Sequence, residues 1–217
     1  MNQGPLIFLG VLTTLSASWL GLVSAPRLQL GGLVPHSSTN ETGLVSYTPA
    51  ERDGSARQGA DIYRVQGCAE CHTQQVRPVS EGSDIARGWG QRRSVARDYV
   101  FEAPVQLGVS RFGPDLANYG ERLGTNALPW IRLYHPASLT NNASTWCPGA
   151  PYLFEARDLK WHSPSPEALV LAGAKAPRAG FEVVPTLRAW QLAAYLGSLR
   201  QSVDLPEAAL PPKTEAP

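Results

Sequence analysis

The sequence predicts a mainly α protein, a single N-terminal transmembrane helix followed by an all-α domain, and three observations carry that prediction. An uncharged, mainly apolar run extends from Pro5 to Ala25. Near the other end, Leu192, Tyr195, Leu196 and Leu199 follow the i, i+3, i+4, i+7 spacing of a helix with one buried face. Between them there is no alternating strand series, no internal repeat and no Gly-rich phosphate loop. With 217 residues and 43% hydrophobic content the chain can bury a real core. Its net charge of +1 offers no basic excess for counterion release, so nucleic acid is not an expected partner.

The run from Pro5 to Ala25 is long enough to cross about 30 Å of hydrocarbon as a helix, which makes the lipid bilayer an expected partner. A secretory signal peptide is the rival reading, because Val23-Ser24-Ala25 resembles a small-residue cleavage site. No Lys or Arg precedes the run, Pro26 follows the cut, and the run exceeds the usual apolar region of about 7 to 15 residues, all of which favour an uncleaved anchor over 1–26. Residues 27–54, rich in Gly, Ser, Thr and Pro without sustained period, read as an extended linker. Residues 55–200 then form the main domain. Its first helix opens on the capping-box spacing of Ser55 and Gln58 and stops at Gly67. A short helix is expected over Leu128 to Tyr134, ended by Pro136, and the last helix over Leu187 to Leu199. From Gln201 on, Pro, Ala and mixed charges predict a flexible tail, 201–217.

The chemistry sits at the end of the first helix of that domain. Cys68-Ala69-Glu70-Cys71-His72 carries two thiols three apart followed at once by an imidazole, the attachment signature of c-type haem. In a chain of this composition such a pentad arises by chance about once in a thousand. The thiols of Cys68 and Cys71 would join the vinyl groups as thioethers, and His72 would ligate the iron. A thioredoxin-like pair lacks its βαβ setting here, and a zinc site lacks a second ligand pair. No nucleophile elbow or metalloprotease helix is present, so a non-catalytic role is expected of this chain alone.

The segment His72-Thr73-Gln74-Gln75-Val76-Arg77-Pro78 resembles the mono-haem subunit II of the cbb-type cytochrome c oxidases. Asp98-Tyr99, Arg111, Gly113-Pro114-Asp115-Leu116-Ala117 and Gly120 are similar to that family's central block. Ala194 to Leu199 is similar to the last helix of such domains, so that the resemblance runs from Pro5 to Leu199, patchily between Ala156 and Thr186. It implies a cytochrome c-like all-α fold with one covalently bound haem c, in which the helix before Cys68 packs on the C-terminal one. A single-pass protein of the bacterial inner membrane is expected, and because c-type haem is attached outside the cytoplasm in bacteria, its haem domain is expected on the periplasmic side. Single electrons would arrive from a c-type cytochrome donor and pass to haem b of the catalytic subunit within a haem-copper oxidase complex. The mono-haem subunit of a nitric oxide reductase and a haem-based gas sensor are the alternatives; Gln74-Gln75 argues against the first.

The resemblance also places the Pro114 carbonyl against the second ring nitrogen of His72, which needs an acceptor to fix its tautomer. Arg77, Arg111 and Arg122 are the nearest candidates for the haem propionates, or else are solvated surface charges. The second axial ligand departs from the family, whose members supply a methionine before a proline. The only methionine here is Met1, and Cys147 stands at that register before Pro148. A thioether favours ferrous iron and a thiolate ferric iron. Cys147 as thiolate, Cys147 as a weakly bound thiol, His135 in its place, and an open position remain as readings; His135 before Pro136 is equally a helix C-cap.

Overall fold

The computed structural model describes residues 3–123, 130–136, 148–171, 173 and 176–212. Two compact units make up the chain: Met1–Pro49 with Ala96–Val100, and Ala50–Val95 with Phe101–Pro217.

The first unit begins with α1, Gly4–Leu30, an apolar helix of 27 residues long enough to cross a membrane and with none of its residues buried. It runs past the expected end of the anchor, and Pro26 is the reason its ladder changes. Proline has no N–H and its ring crowds the carbonyl four residues back. The helix answers with a π segment over Leu20–Ser24, where the Ala25 N–H reaches the Leu20 carbonyl. The segment expected as an extended linker contains an antiparallel hairpin, β1 His36–Thr39 with β2 Val45–Thr48. Asn40 makes its turn: Oδ1 accepts from the backbone N–H groups of Thr42 at 3.1 Å and Leu44 at 2.8 Å, and Gly43 supplies φ +79°. In the same unit Arg97, in a 3₁₀ turn over Ala96–Tyr99, donates to the Val34 carbonyl.

The second unit is organised by two crossing helices, α2 Gly54–Val65 and α5 Leu187–Ser198. The N-cap of α2 is Asp53, two residues earlier than the expected Ser55, since its carboxylate accepts from Ala56 N–H at 2.7 Å and also faces the positive helix end. Gly67, at φ +68°, closes the helix as expected. Ala56, Gly59, Ile62 and Tyr63 form the buried face of α2 and meet Ala189, Leu192, Tyr195 and Leu196 of α5. At the crossing the backbones touch: a Cβ on Gly59 would overlap the Gln191 carbonyl and lie 2.7 Å from Tyr195 Cβ. Gly59→Ala is therefore expected to lower stability by about 1–3 kcal/mol through overpacking, read as a drop in thermal unfolding midpoint. Thr186 caps α5 and also donates to the Leu153 carbonyl at 2.7 Å.

Between these helices lie two short ones, α3 Tyr119–Arg122 and α4 Trp130–Tyr134, the latter within the expected span, whose residues 128 and 129 lie outside those described. The unit is not all-α. An antiparallel pair, β3 Phe154–Asp158 with β4 Phe181–Pro185, brings Phe154, Val183 and Val184 into the buried set. Trp130 stands edge-on to both Phe154 and Trp190, with ring centroids 6.2 and 4.7 Å away. The expected loose tail docks in its first residues: Leu205 is 2% exposed, Ser94 donates to the Gln201 side chain at 2.5 Å, and Arg92 donates to the Val203 carbonyl at 2.6 Å.

Candidate haem site

Local chain geometry gathers the three motif residues. After Gly67 the backbone turns through a 3₁₀ segment, Cys68–Glu70, and the Cys68 carbonyl accepts from Cys71 N–H at 3.2 Å and His72 N–H at 3.0 Å. Positions i, i+3 and i+4 of one helical turn share a face, so Cys68, Cys71 and His72 stand together. All three are half-buried, and among the described residues neither thiol is in a disulfide.

His72 is braced from a second segment. Its Nδ1 lies 2.8 Å from the Pro114 carbonyl, and Gly113 N–H donates to the Cys71 carbonyl at 2.9 Å. A Cβ on Gly113 would lie 2.5 Å from Nδ1 and 2.8 Å from Nε2, so glycine lets the backbone lie against the ring. With Nδ1 donating to the carbonyl, Nε2 carries the lone pair; it makes no hydrogen bond among the described residues. Phe112 and Val109, on the same loop, are 79% and 76% exposed. Two thiols on one turn, an imidazole whose Nδ1 is taken by a carbonyl and whose Nε2 is left with its lone pair, and exposed apolar side chains on the bracing loop fit a covalently attached haem.

Buried polar residues hold this turn on the core. Gln74, 1% exposed, accepts from the Tyr195 hydroxyl of α5 at 2.9 Å, and Tyr63 of α2 donates to the His72 carbonyl at 3.4 Å. Burial pushes both phenols well above their ordinary pKa, so both remain donors. Asp84 is fully buried and gathers four donors: Arg77 through Nη2 at 2.8 Å, Nε at 3.2 Å and its backbone N–H at 2.9 Å, and Arg111 through Nη1 at 2.6 Å. Burial alone would raise this carboxyl, but the hydrogen bonds from Arg77 and Arg111 outweigh it and hold the group well below the usual carboxylate range. Arg111 also donates to the Gln75 carbonyl at 2.6 Å, and Arg122 to the Asp115 carbonyl. The three arginines expected near haem propionates are thus engaged with protein groups. No sequence signal marked Asp84, an acid in a polar loop; the Tyr195 partner of Gln74 was visible only as one apolar position of a helical stripe.

His135 follows α4, where its N–H donates to the Ile131 carbonyl at 2.9 Å, the geometry of a helix end. Cys147 lies outside the described residues. Its neighbours return at the same helix end, with Ala150 N–H donating to the Leu133 carbonyl at 2.6 Å.

The second unit joins a helix pair, a braced imidazole and two thiols on one turn, an arrangement that would suit one haem, and the first unit carries a membrane-length helix. The chain belongs to the family of the cytochrome c oxidase mono-heme subunit, FixO, which it matches over residues 4–173. Apolar α1 and membership in a membrane-bound oxidase subunit family fit a membrane anchor, and the family implies association with a cytochrome oxidase complex. None of the curated proteins compared with the chain matches it.

Proposed function

We propose that this chain is the membrane-anchored mono-haem c-type cytochrome of a cbb-type oxidase, accepting single electrons from a c-type donor and passing them to haem b of the catalytic subunit. The observation that carries the reading is the 2.8 Å contact from His72 Nδ1 to the Pro114 carbonyl, directly after the paired thiols. In this reading Cys68 and Cys71 hold the haem as thioethers and His72 Nε2 holds its iron. Haem supplies an iron that changes its charge by one. The chain's part is to keep that change local: the Pro114 carbonyl fixes the imidazole proton on Nδ1, so no tautomer shift accompanies electron uptake. Gly113 and the Asp84 cluster hold the two supporting segments rigidly, which limits the rearrangement each transfer requires. The domain stands on the periplasmic side of the bacterial inner membrane, where c-type haem is attached.

A reduced-minus-oxidised spectrum with redox titration of the purified native complex tests this. A c-type band titrating as one electron, in a complex that consumes oxygen, is expected. A chain found with both thiols unmodified would end the reading, and rapid stoichiometric carbon monoxide binding by the intact chain would favour a gas sensor instead.

For the second axial position the proposal keeps Cys147, on its register before Pro148. Replacing a thiolate by a thioether raises the midpoint potential, because the charge that stabilised ferric iron is lost. Cys147→Met is expected to shift it upward by about 100 mV or more, roughly fifty-fold in the reduction equilibrium. An unchanged potential and spectrum would remove Cys147 from the iron.

A further inference from the structure

We infer that Asp115, held by Thr73, is a positioning residue for the His72 imidazole. The inference rests on the reading that His72 takes haem iron and extends it one step into the protein.

Asp115 follows the proline whose carbonyl braces the ring, and it is 0% exposed. Its carboxylate is tied to the chain just beyond His72: Oδ2 accepts from Thr73 Oγ1 at 2.6 Å and from Gln75 N–H at 2.8 Å. Its other oxygen accepts from Ala117 N–H at 2.9 Å, which closes its own turn. Backbone bonds flank this clamp on both sides, from Gly113 N–H to the Cys71 carbonyl at 2.9 Å and from Leu116 N–H to the Thr73 carbonyl at 2.7 Å. The Pro114 carbonyl is thus a group whose own peptide is bolted to residues 73 and 75. Without the clamp the exposed Pro114 is left with only the two flanking backbone bonds to the chain around His72, and the ring's angular reference loosens. Arg111 Nη2 stands 3.8 Å from Oδ2, so the buried carboxylate also has a counter-charge.

A purely structural staple would keep the fold together and leave the ring's orientation alone. The two roles separate in the haem-loaded full chain within its native complex. Low-spin ferric haem has an electron paramagnetic resonance anisotropy that depends on axial-ring orientation, and the midpoint potential gives an independent reading. Thr73→Val removes the Oγ1 donor yet keeps the carboxylate, so any change reports orientation and not lost charge. It is expected to alter the anisotropy and to shift the reduction equilibrium by about threefold or more, about 28 mV at 59 mV per decade. Thr73→Ser, which keeps the hydroxyl, should restore both values. Asp115→Asn should reproduce the change in anisotropy and add a rise in potential, because a buried anion that favours ferric iron is lost.

The assignment is overturned if Thr73→Val, carrying haem at the wild-type level, retains the wild-type anisotropy and potential. If Asp115→Asn does not accumulate, the Val and Ser variants decide alone. A wild-type chain without covalent haem, established first by mass, overturns the relay reading together with this one; a loaded chain with unchanged signals overturns only this one.

Discussion

Replacing Cys68 and Cys71 together by Ser is expected to leave the chain folded but without covalent haem, and to lower electron delivery through the complex by more than about a hundredfold. The backbone turn that carries the motif closes through the Cys68 carbonyl, not through either sulfur, so it survives the change. Both side chains are half-buried, and Ser is of nearly the same size. On the proposed function, what is lost is the nucleophile that would add to each vinyl group. Loss of outer partners of a metal site already costs ten- to a hundredfold, and here the tether itself goes. Haem staining of the denatured chain, its intact mass, and circular dichroism together check the expectation. Covalent haem retained by the double variant would mean that the motif is not the attachment point.

Asp84→Ala carries the largest expected effect on folding. It would leave the guanidinium groups of Arg77 and Arg111 facing each other with no carboxylate between them. Removing one partner of a buried charged cluster costs about 3 kcal/mol, and for a chain of this size that is a fall of about 6–12 °C in Tm. The pH dependence has a definite sign. The folded carboxyl is held below its unfolded pKa of about 3.9, so its stabilisation is complete above that value and is lost as pH falls beneath it. The gap in unfolding free energy between wild type and variant should therefore be level above about pH 5 and shrink below about pH 4. A gap that widens in acid would show that the arginines, not the carboxylate, dominate the cluster.

Much of this architecture could be read from single positions. An uncharged run must become a helix if it is to sit in lipid, and it does, through Leu30. The last helix announced itself because its neighbours in the core demand a 3.6-residue period. Other features left no trace in the pattern. The hairpin β1–β2 exposes nearly every residue on both faces, so there was no apolar alternation to find. Strand β3 has the mixed burial of Phe154, Glu155, Ala156, Arg157 and Asp158, which hides its period as well. At the candidate site, the spacing of Cys68, Cys71 and His72 stood out in the sequence, and the fold gathers the three on one turn with His72 against the Pro114 carbonyl. Their supports did not stand out, because Asp84 and Asp115 act on groups up to 42 residues away, across contacts that only the folded chain creates. Asp53 capped α2 in place of Ser55 for a local reason, since a charged acceptor at the helix start outcompetes a hydroxyl two residues later.

The docking of Gln201 to Leu205 bears on how the chain can be handled. Gln201 N–H donates to Asn118 Oδ1 at 2.7 Å, and the side chain of Asn118 donates to the Trp89 carbonyl at 3.2 Å, so this C-terminal stretch rivets two distant loops. An epitope tag or fluorescent fusion joined after residue 212 would leave those rivets in place, whereas truncation after residue 200 would strip them from the loops that carry Arg92 and Ser94.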